Sequence, residues 1–453
     1  DLTWSPPHSN ERARTIDETG IPQRVKDLQS SPPGEDVERV QFMTGNKDTR
    51  TNRKRHQGGG PSDEKDPIVE PPPDAERLKS YLNGRSTELF LSLSEQASEV
   101  RAAIRSGQIS LESGSKREQV RKSLRRIEDH PKPRYAHSEK SPRLRSSGEN
   151  RLVGLDSFIR KGLYASRHIE LDLSKAHAAI AARDWGGLDM LEAWLCRHIT
   201  DPSYDFWNSL GSSILIGPST PPGEDQDAAR TAVKRGLYTL VYGGSKDTIR
   251  FNLAEAYGDE LGIDAPSHDT VKSFLGYPLV RKMLKARDKK LSQINEEGGL
   301  VDCYGRKIRT EDLSEHPNCD NPARTALAYC AQARELFLLR PIIDLAEKEE
   351  KAVERGEKER PAFQILLYQY DGVTIHVTHE SQRETVTRKL QRAVDEHARK
   401  HGYLTALEVD WKPSDMTLTR RDRSAYPHRP ACPPGRSASR SRQFNQPASR
   451  ESL

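Results

Sequence analysis

The sequence predicts an α+β fold, an antiparallel sheet flanked by helices, and three stretches carry that reading. His168-Ile-Glu-Leu-Asp-Leu173 alternates apolar and polar residues, the pattern of a strand with one buried face. Leu366-Leu-Tyr-Gln-Tyr-Asp-Gly-Val-Thr-Ile-His-Val377 holds two alternating segments joined at Asp371-Gly372, a strong hairpin signal. Between them, Arg230, Lys234, Tyr238 and Tyr242 recur every four residues with no proline. Steps of four hold side chains on one helical face, drifting about 40° per step. Gly243-Gly244 ends that helix.

Taken in chain order, residues 1–73 are rich in Pro, Ser, Gly and charge, with Gly58-Gly-Gly60 and Pro71-Pro-Pro73, and are expected to be disordered. Residues 74–130 read as helices, because Leu78, Tyr81, Leu82, Leu89, Leu91, Leu93, Val100, Ala103 and Ile104 fall at mixed three- and four-residue spacing. The cations between Lys116 and Arg126 suit either a short thumb that grips duplex DNA or a simple helical appendage. Residues 131–412 hold the chemistry. After the 168–173 strand, Ser174-Lys-Ala-His177-Ala-Ala-Ile turns helical. From 413 to 453, Arg, Ser and Pro dominate and disorder is again expected.

Composition bounds the function. The apolar fraction is 34% against 31% charged residues, low for a chain that is globular throughout. The tail from Pro413 carries eight Arg against three acidic residues, which equals the whole-chain excess of +5. The balanced body must therefore gather cations locally, along a cleft, if it binds nucleic acid. Five scattered cysteines without a CxxC pair point to a reducing compartment and no zinc cage. No apolar run approaches a membrane span, and the first residues hold no signal-peptide core. The expected location is cytoplasmic, meaning the host cytoplasm or the virion for a viral protein. The missing initiator Met suggests a fragment or processed product.

Two cations beside two aromatic rings suit a ligand with a triphosphate at one end and a sugar and base at the other. Alone, the same stripe describes an ordinary amphipathic helix, just as an Asp at a strand end is ordinarily a cap and Asp-Gly ordinarily a surface hairpin. Together they resemble family A DNA polymerases, the bacterial polymerase I type. The Arg230, Lys234, Tyr238, Tyr242-Gly243 spacing resembles that family's fingers helix. Asp172-Leu-Ser-Lys-Ala-His177 resembles its first carboxylate motif, and Tyr370-Asp371-Gly372 its second, in which only the metal-binding Asp is kept. Ser141-Pro-Arg143-Leu-Arg-Ser-Ser147 resembles the segment that puts an Arg in the primer-terminus minor groove. Tyr277-Pro278, Gly305-Arg306-Lys307, and Arg324 with Gln332 follow in the family's order, with Ala328 where an Asn usually stands. Trp207 stands where the family often has a His near the triphosphate.

The resemblance covers about 135–412. It implies a right-hand polymerase: a palm sheet bearing Asp172 and Asp371, helical fingers around 205–298 and a small helical thumb. It implies two Mg²⁺ ions, or Mn²⁺, held by Asp172 and Asp371, with Lys234 assisting catalysis. Arg230, Lys234, Tyr238, Tyr242, Gly243 and His177 would bind the nucleoside triphosphate, and Arg143, Arg306, Arg324 and Gln332 the primer-template. The implied origin is a phage, virus or plasmid. No exonuclease signature is evident, so low processivity or a separate processivity or replication partner follows. Single-subunit phage-type RNA polymerases share Lys-Arg and Thr-Leu-x-Tyr-Gly at these offsets, so an RNA polymerase or reverse transcriptase on this scaffold is the alternative. A degenerate polymerase serving as a nucleic-acid-binding or structural protein is the third reading.

Overall fold

A computed structural model describes residues 69–411, apart from 108, 110–113, 139–140, 202, 217–223, 262–267, 316–318 and 320. The two segments expected to be disordered fall, but for residues 69–73, outside the described residues.

The fold is mixed, with antiparallel pairing throughout its described strands. Three helices come first: α1 (Pro73–Gly84), α2 (Leu91–Arg105) and α3 (Gly114–Asp129). Pro73 opens α1 at a position that needs no donor. A hairpin, β1 (Arg134–Ser138) and β2 (Ser141–Ser147), precedes the short α4 (Ser157–Lys161) and the strand β3 (His168–Leu173). Then come α5 (Ala176–Trp185), α6 (Asp189–Thr200), α7 (Phe206–Gly211), α8 (Glu224–Val241), α9 (Lys246–Leu261), α10 (His268–Gly276) and α11 (Pro278–Glu297). The hairpin β4 (Gly299–Val301) and β5 (Lys307–Arg309) leads through α12 (Thr310–Ser314) to the long α13 (Pro322–Glu354). The chain ends its described course with β6 (Phe363–Tyr368), β7 (Gly372–Val377), α14 (Arg383–Lys400) and β8 (Leu407–Trp411).

The four-stranded sheet runs in the order β6-β7-β3-β8. Ile169, Leu171 and Leu173 of β3 enter a core shared with α1, α13 and α14. The sequence suggests one buried face for β3, but the structure covers both: of its six residues only Asp172 escapes full burial. The second face is sealed at its start because Tyr164 packs edge-on against His168 at 5.8 Å and Arg160 bonds Glu170 at 2.8 Å. That seal leaves the Asp172 end as the accessible one.

Helices α5 to α11 form a second core around Trp194, Phe206, Trp207, Leu237 and Phe274. The side chains of α2 and α3 are not a body of their own, since their core includes Leu366 and Leu367 of β6. Asp74, almost wholly buried, ties α1 to distant chain: Arg340 Nε at 2.7 Å and Tyr304 Oη at 2.8 Å both donate to it.

Candidate active site

Asp172 sits in register between two strands, opposite Gly372 of β7 and Glu408 of β8. Asp371 lies in the turn between β6 and β7, where its carbonyl accepts the Leu173 N–H at 2.9 Å. One backbone bond thus places the two aspartates on neighbouring chain segments. The turn is centred one residue earlier than the Asp-Gly signal suggests. Gln369 N–H bonds Gly372 O at 2.9 Å, and Tyr370, with φ of 73°, takes the left-handed conformation that the hairpin demands. Gly372 is needed for space rather than for φ. A Cβ there would lie 2.6 Å from Leu171 O and 2.7 Å from Asp172 Oδ1. The Asp172 carboxylate occupies room that only glycine leaves.

Helix α8 carries the cation and aromatic stripe. Tyr242 extends it, its N–H bonding Tyr238 O at 3.1 Å, and Gly243 follows with φ of 75°. Arg230 and Lys234 are exposed. Gly211 lets α7 cross α8 closely, since a Cβ there would lie 2.9 Å from Arg230 N. Tyr238 lies with its ring centre 4.3 Å from His177 and 5.6 Å from Trp207, and Lys234 Nζ is 5.6 Å from its ring centre. Burial, then the charges of Asp371 and Asp172, push the Tyr238 hydroxyl well above its ordinary range. Tyr238 therefore lies within electrostatic reach of both aspartates.

Behind this lies a buried polar knot. Glu335, from the middle of α13, is fully buried. Its Oε2 accepts from Arg143 Nε at 2.9 Å, and its Oε1 accepts from Tyr242 Oη at 3.0 Å and lies 2.7 Å from His177 Nε2. Arg143 Nη2 also donates to Tyr242 Oη at 2.6 Å, and His177 Nε2 contacts the same hydroxyl. Burial works to raise the Glu335 pKa, but Arg143 and His177 outweigh it and hold the carboxyl below its usual range. Asp371 goes the other way: burial, then the Glu335 charge, raise it.

A further cluster borders Asp172 from β8. Glu408 Oε1 lies 3.0 Å from His198 Nε2 and Glu408 Oε2 lies 3.3 Å from Lys175 Nζ. Burial is outweighed there by the His198 and Ser174 hydrogen bonds, so the Glu408 carboxyl is held down at about 2. Lys175 opens α5 with φ of 54°, and its ammonium is lowered chiefly by burial.

Of the nucleic-acid candidates, Arg143 and Gln332 come together: Ser141 Oγ bonds Gln332 Oε1 and accepts from Arg143 N at 3.1 Å. Arg324 packs under Gly243, where a Cβ would lie 3.2 Å from Arg324 Cβ. Arg306 lies on the β4–β5 hairpin, bonded to Asp302 at 2.9 Å and beside the Tyr304 and Tyr329 rings, and these partners are not part of the aspartate cluster. Glu335, Glu408 and Lys175 escaped the sequence reading. For Glu335 a signal existed: it stands three residues after Gln332, one turn along the same helical face.

No family model matches the chain, and no curated protein matches it. Among solved structures, it is similar to the POL domain of Pol1 from M. smegmatis in complex with DNA primer-template and dNTP, at 19% identity and a TM-score of 0.42. The alignment covers 65% of this chain and 50% of that one, so the chain spans about half the length of the structure it matches.

Proposed function

We propose that this protein is a template-directed DNA polymerase, adding deoxynucleotides to a primer 3′-hydroxyl with release of pyrophosphate. The observation that carries the reading is the convergence of Asp172, Asp371 and Tyr238, with Lys234 one turn from Tyr238 on an exposed helical face. Two carboxylates on adjoining segments meet the demand of Mg²⁺ for one or two acidic ligands plus water and phosphate oxygens. Among the described residues no group of three or more His, Cys, Asp or Glu forms a closed cage. The adjacency of the two aspartates, set by the Leu173 N–H bond to Asp371 O at 2.9 Å, supports a shared cation site. When bound there, two Mg²⁺ or Mn²⁺ ions would supply charge stabilisation to the attacking and leaving oxygens.

The chain's own residues have separable tasks. Asp172 and Asp371 hold the cations. Arg230 and Lys234, exposed on one face of α8, neutralise the triphosphate, and Lys234 is placed to give a proton to departing pyrophosphate. Tyr238, half-buried against His177 and Trp207, forms the wall on which the sugar and base rest. Arg143, Arg324 and Gln332 line the approach of primer-template.

Primer extension with DNA and RNA templates, each supplied with deoxynucleotides or ribonucleotides, tests the reading. Extension should be metal-dependent and favour deoxynucleotides on a DNA template. Preference for ribonucleotides would transfer the function to the RNA polymerase alternative. Nucleic-acid binding without any extension would leave a binding protein.

A further inference from the structure

We propose that the outward face of α11 is a separate nucleic-acid surface, a row of cations that holds the phosphate backbone of a DNA single strand outside the aspartate site. The inference goes beyond the polymerase reading and requires no catalysis at Asp172 or Asp371.

Charge is concentrated on this helix. The ten residues from Arg281 to Lys290 hold six cations and one acid, Asp288. The tail from Pro413 already accounts for the whole-chain excess, so this short segment is strongly positive within a body that is otherwise net negative. Arg281, Lys285 and Lys289 recur every four residues and are exposed, with Lys282 half-buried beside them. Steps of four form one row, its cations about 6 Å apart. The buried face holds Leu279, Val280, Met283, Leu284, Arg287 and Ile294.

That buried face fixes the row outward. Val280, Met283 and Leu284 enter the core of the helical body, and Ile294 enters the core beneath α13. Arg287 pins the rotation, because its Nη1 donates to Gly244 O, just past α8, at 2.5 Å. Its Nη2 donates to Asp288 at 2.7 Å, so the one acid of the segment is engaged by the buried cation. Arg281, Lys282, Lys285 and Lys289 have no ion pair among the described residues. The cations of α3, which the sequence offered as a DNA grip, are matched instead. Arg121 lies 3.3 Å from Glu118, Arg125 lies 3.9 Å from Asp129, and Arg126 lies 3.5 Å from Glu149.

The chemistry of the row selects the partner. An anionic membrane would need an apolar face to enter the lipid interface, and that face of α11 is spent in the two cores. A protein partner would need an apolar or aromatic anchor, and the row offers charge alone. No aromatic residue stands between Pro278 and Glu297, so contact falls on phosphates rather than stacked bases and is indifferent to sequence. A flexible single strand can follow the whole row, whereas a rigid duplex meets a convex helix over a short stretch.

The test is binding of an oligothymidylate of about 20 nucleotides, followed by fluorescence anisotropy across a salt series without nucleotide or metal. Full-length wild type is compared with the triple variant Arg281→Gln, Lys285→Gln, Lys289→Gln, and with Arg121→Gln, Arg125→Gln, Arg126→Gln on α3. Gln is a good helix former, and thermal unfolding checks that both variants fold. At about 0.7 per phosphate contact, the α11 variant should flatten the slope of log K against log salt by about 2 and weaken binding roughly ten- to hundredfold near 0.1 M salt. Lys285→Arg with Lys289→Arg should keep the wild-type slope, since charge rather than shape is required. An unchanged slope in the folded α11 variant overturns the proposal, as does an equal change in the α3 variant. Equal weakening of blunt-duplex binding overturns the preference for a single strand, and parallel loss of binding to anionic vesicles makes the row a lipid surface instead. Should the triple variant not fold, Lys285→Gln alone decides, with a slope change of about 0.7 expected. Row-dependent binding without any primer extension upholds this inference while overturning the polymerase reading.

Discussion

Gly372 shows how much one missing methyl group decides. The hairpin residue is glycine because the Asp172 carboxylate and Leu171 carbonyl fill the space a Cβ would take. Gly372→Ala must displace one of them. Overpacking of this kind costs about 1–3 kcal/mol, and, under the proposed reading of Asp172 as a cation ligand, a small shift of its carboxylate costs activity steeply, about a hundredfold per ångström. The expected outcome is a stable fold with primer extension lowered at least about tenfold, read by thermal unfolding beside steady-state rates; unimpaired extension would detach Asp172 from the chemistry. Tyr238 carries a second expectation. Under the proposed reading its hydroxyl, within electrostatic reach of both aspartates, borders the 3′ side of the incoming sugar, so the wild type should accept dideoxynucleotides readily. Tyr238→Phe should discriminate against them more strongly, and equal incorporation ratios in the two proteins would count against this orientation. The family resemblance of their motifs, rather than spacing alone, singled out Asp172, Asp371, Lys234 and Tyr238 as candidates. Glu335 was marked only by its place one turn after Gln332, because an acidic residue in a helix ordinarily faces water, and the fold alone brings Arg143, His177 and Tyr242 around it.

At the scale of elements, β3 and β7 carry a pair of opposed histidines, His168 and His376, with ring centres 5.3 Å apart. Burial, then the charge of its neighbour His376, lowers His168 to about 3; burial, then Arg167, lowers His376 to about 4. Both folded values lie below the ordinary value of about 6.5. The unfolded chain therefore takes up protons first as pH falls, and stability present above about pH 6.5 drains away toward pH 4, by at most about 1.4 kcal/mol per pH unit for each ring. Urea unfolding of wild type and His168→Phe across pH 4–7 checks this: the variant should start less stable, through loss of the Ala165 N–H bond to His168 Nδ1, but fall less steeply. Parallel slopes would remove the histidine pair from the acid response. The strand itself was visible in its alternation, yet its two-sided burial was not. That burial comes from Arg160 in α4 and Tyr164 in the turn after it, whose path back onto β3 no local periodicity encodes.

At the scale of the molecule, the described sheet and helices set an antiparallel four-stranded scaffold against a helical body, with the candidate site where α8 faces the Asp172 end of β3. The sequence pattern disclosed the antiparallel sheet and the helices within 205–298, because these rest on local periodicity and turn chemistry. It did not disclose that β8 would bring Glu408 opposite Asp172, nor that α1 to α3 would share cores with the sheet, since both depend on pairings far apart in sequence. Among the described residues no helix is long and apolar enough to cross a membrane. The Arg-rich segment 413–453 lies outside the described residues, and its eight Arg against three acidic residues give a prediction from charge alone. Its deletion should leave catalysis intact while weakening DNA binding and flattening its salt dependence, because fewer counterions are released. An unchanged slope in a salt titration of binding would make the segment a bystander.

The central claim, that Asp172 and Asp371 together hold the catalytic cations, is tested most directly by primer extension with Asp172→Asn and Asp371→Asn, alongside DNA binding and thermal unfolding of the same proteins. The account predicts that each variant folds and binds primer-template as wild type does, yet loses extension by roughly a thousandfold or more, as removal of a charged ligand from a two-metal centre requires. Extension at the wild-type rate by either variant would contradict it.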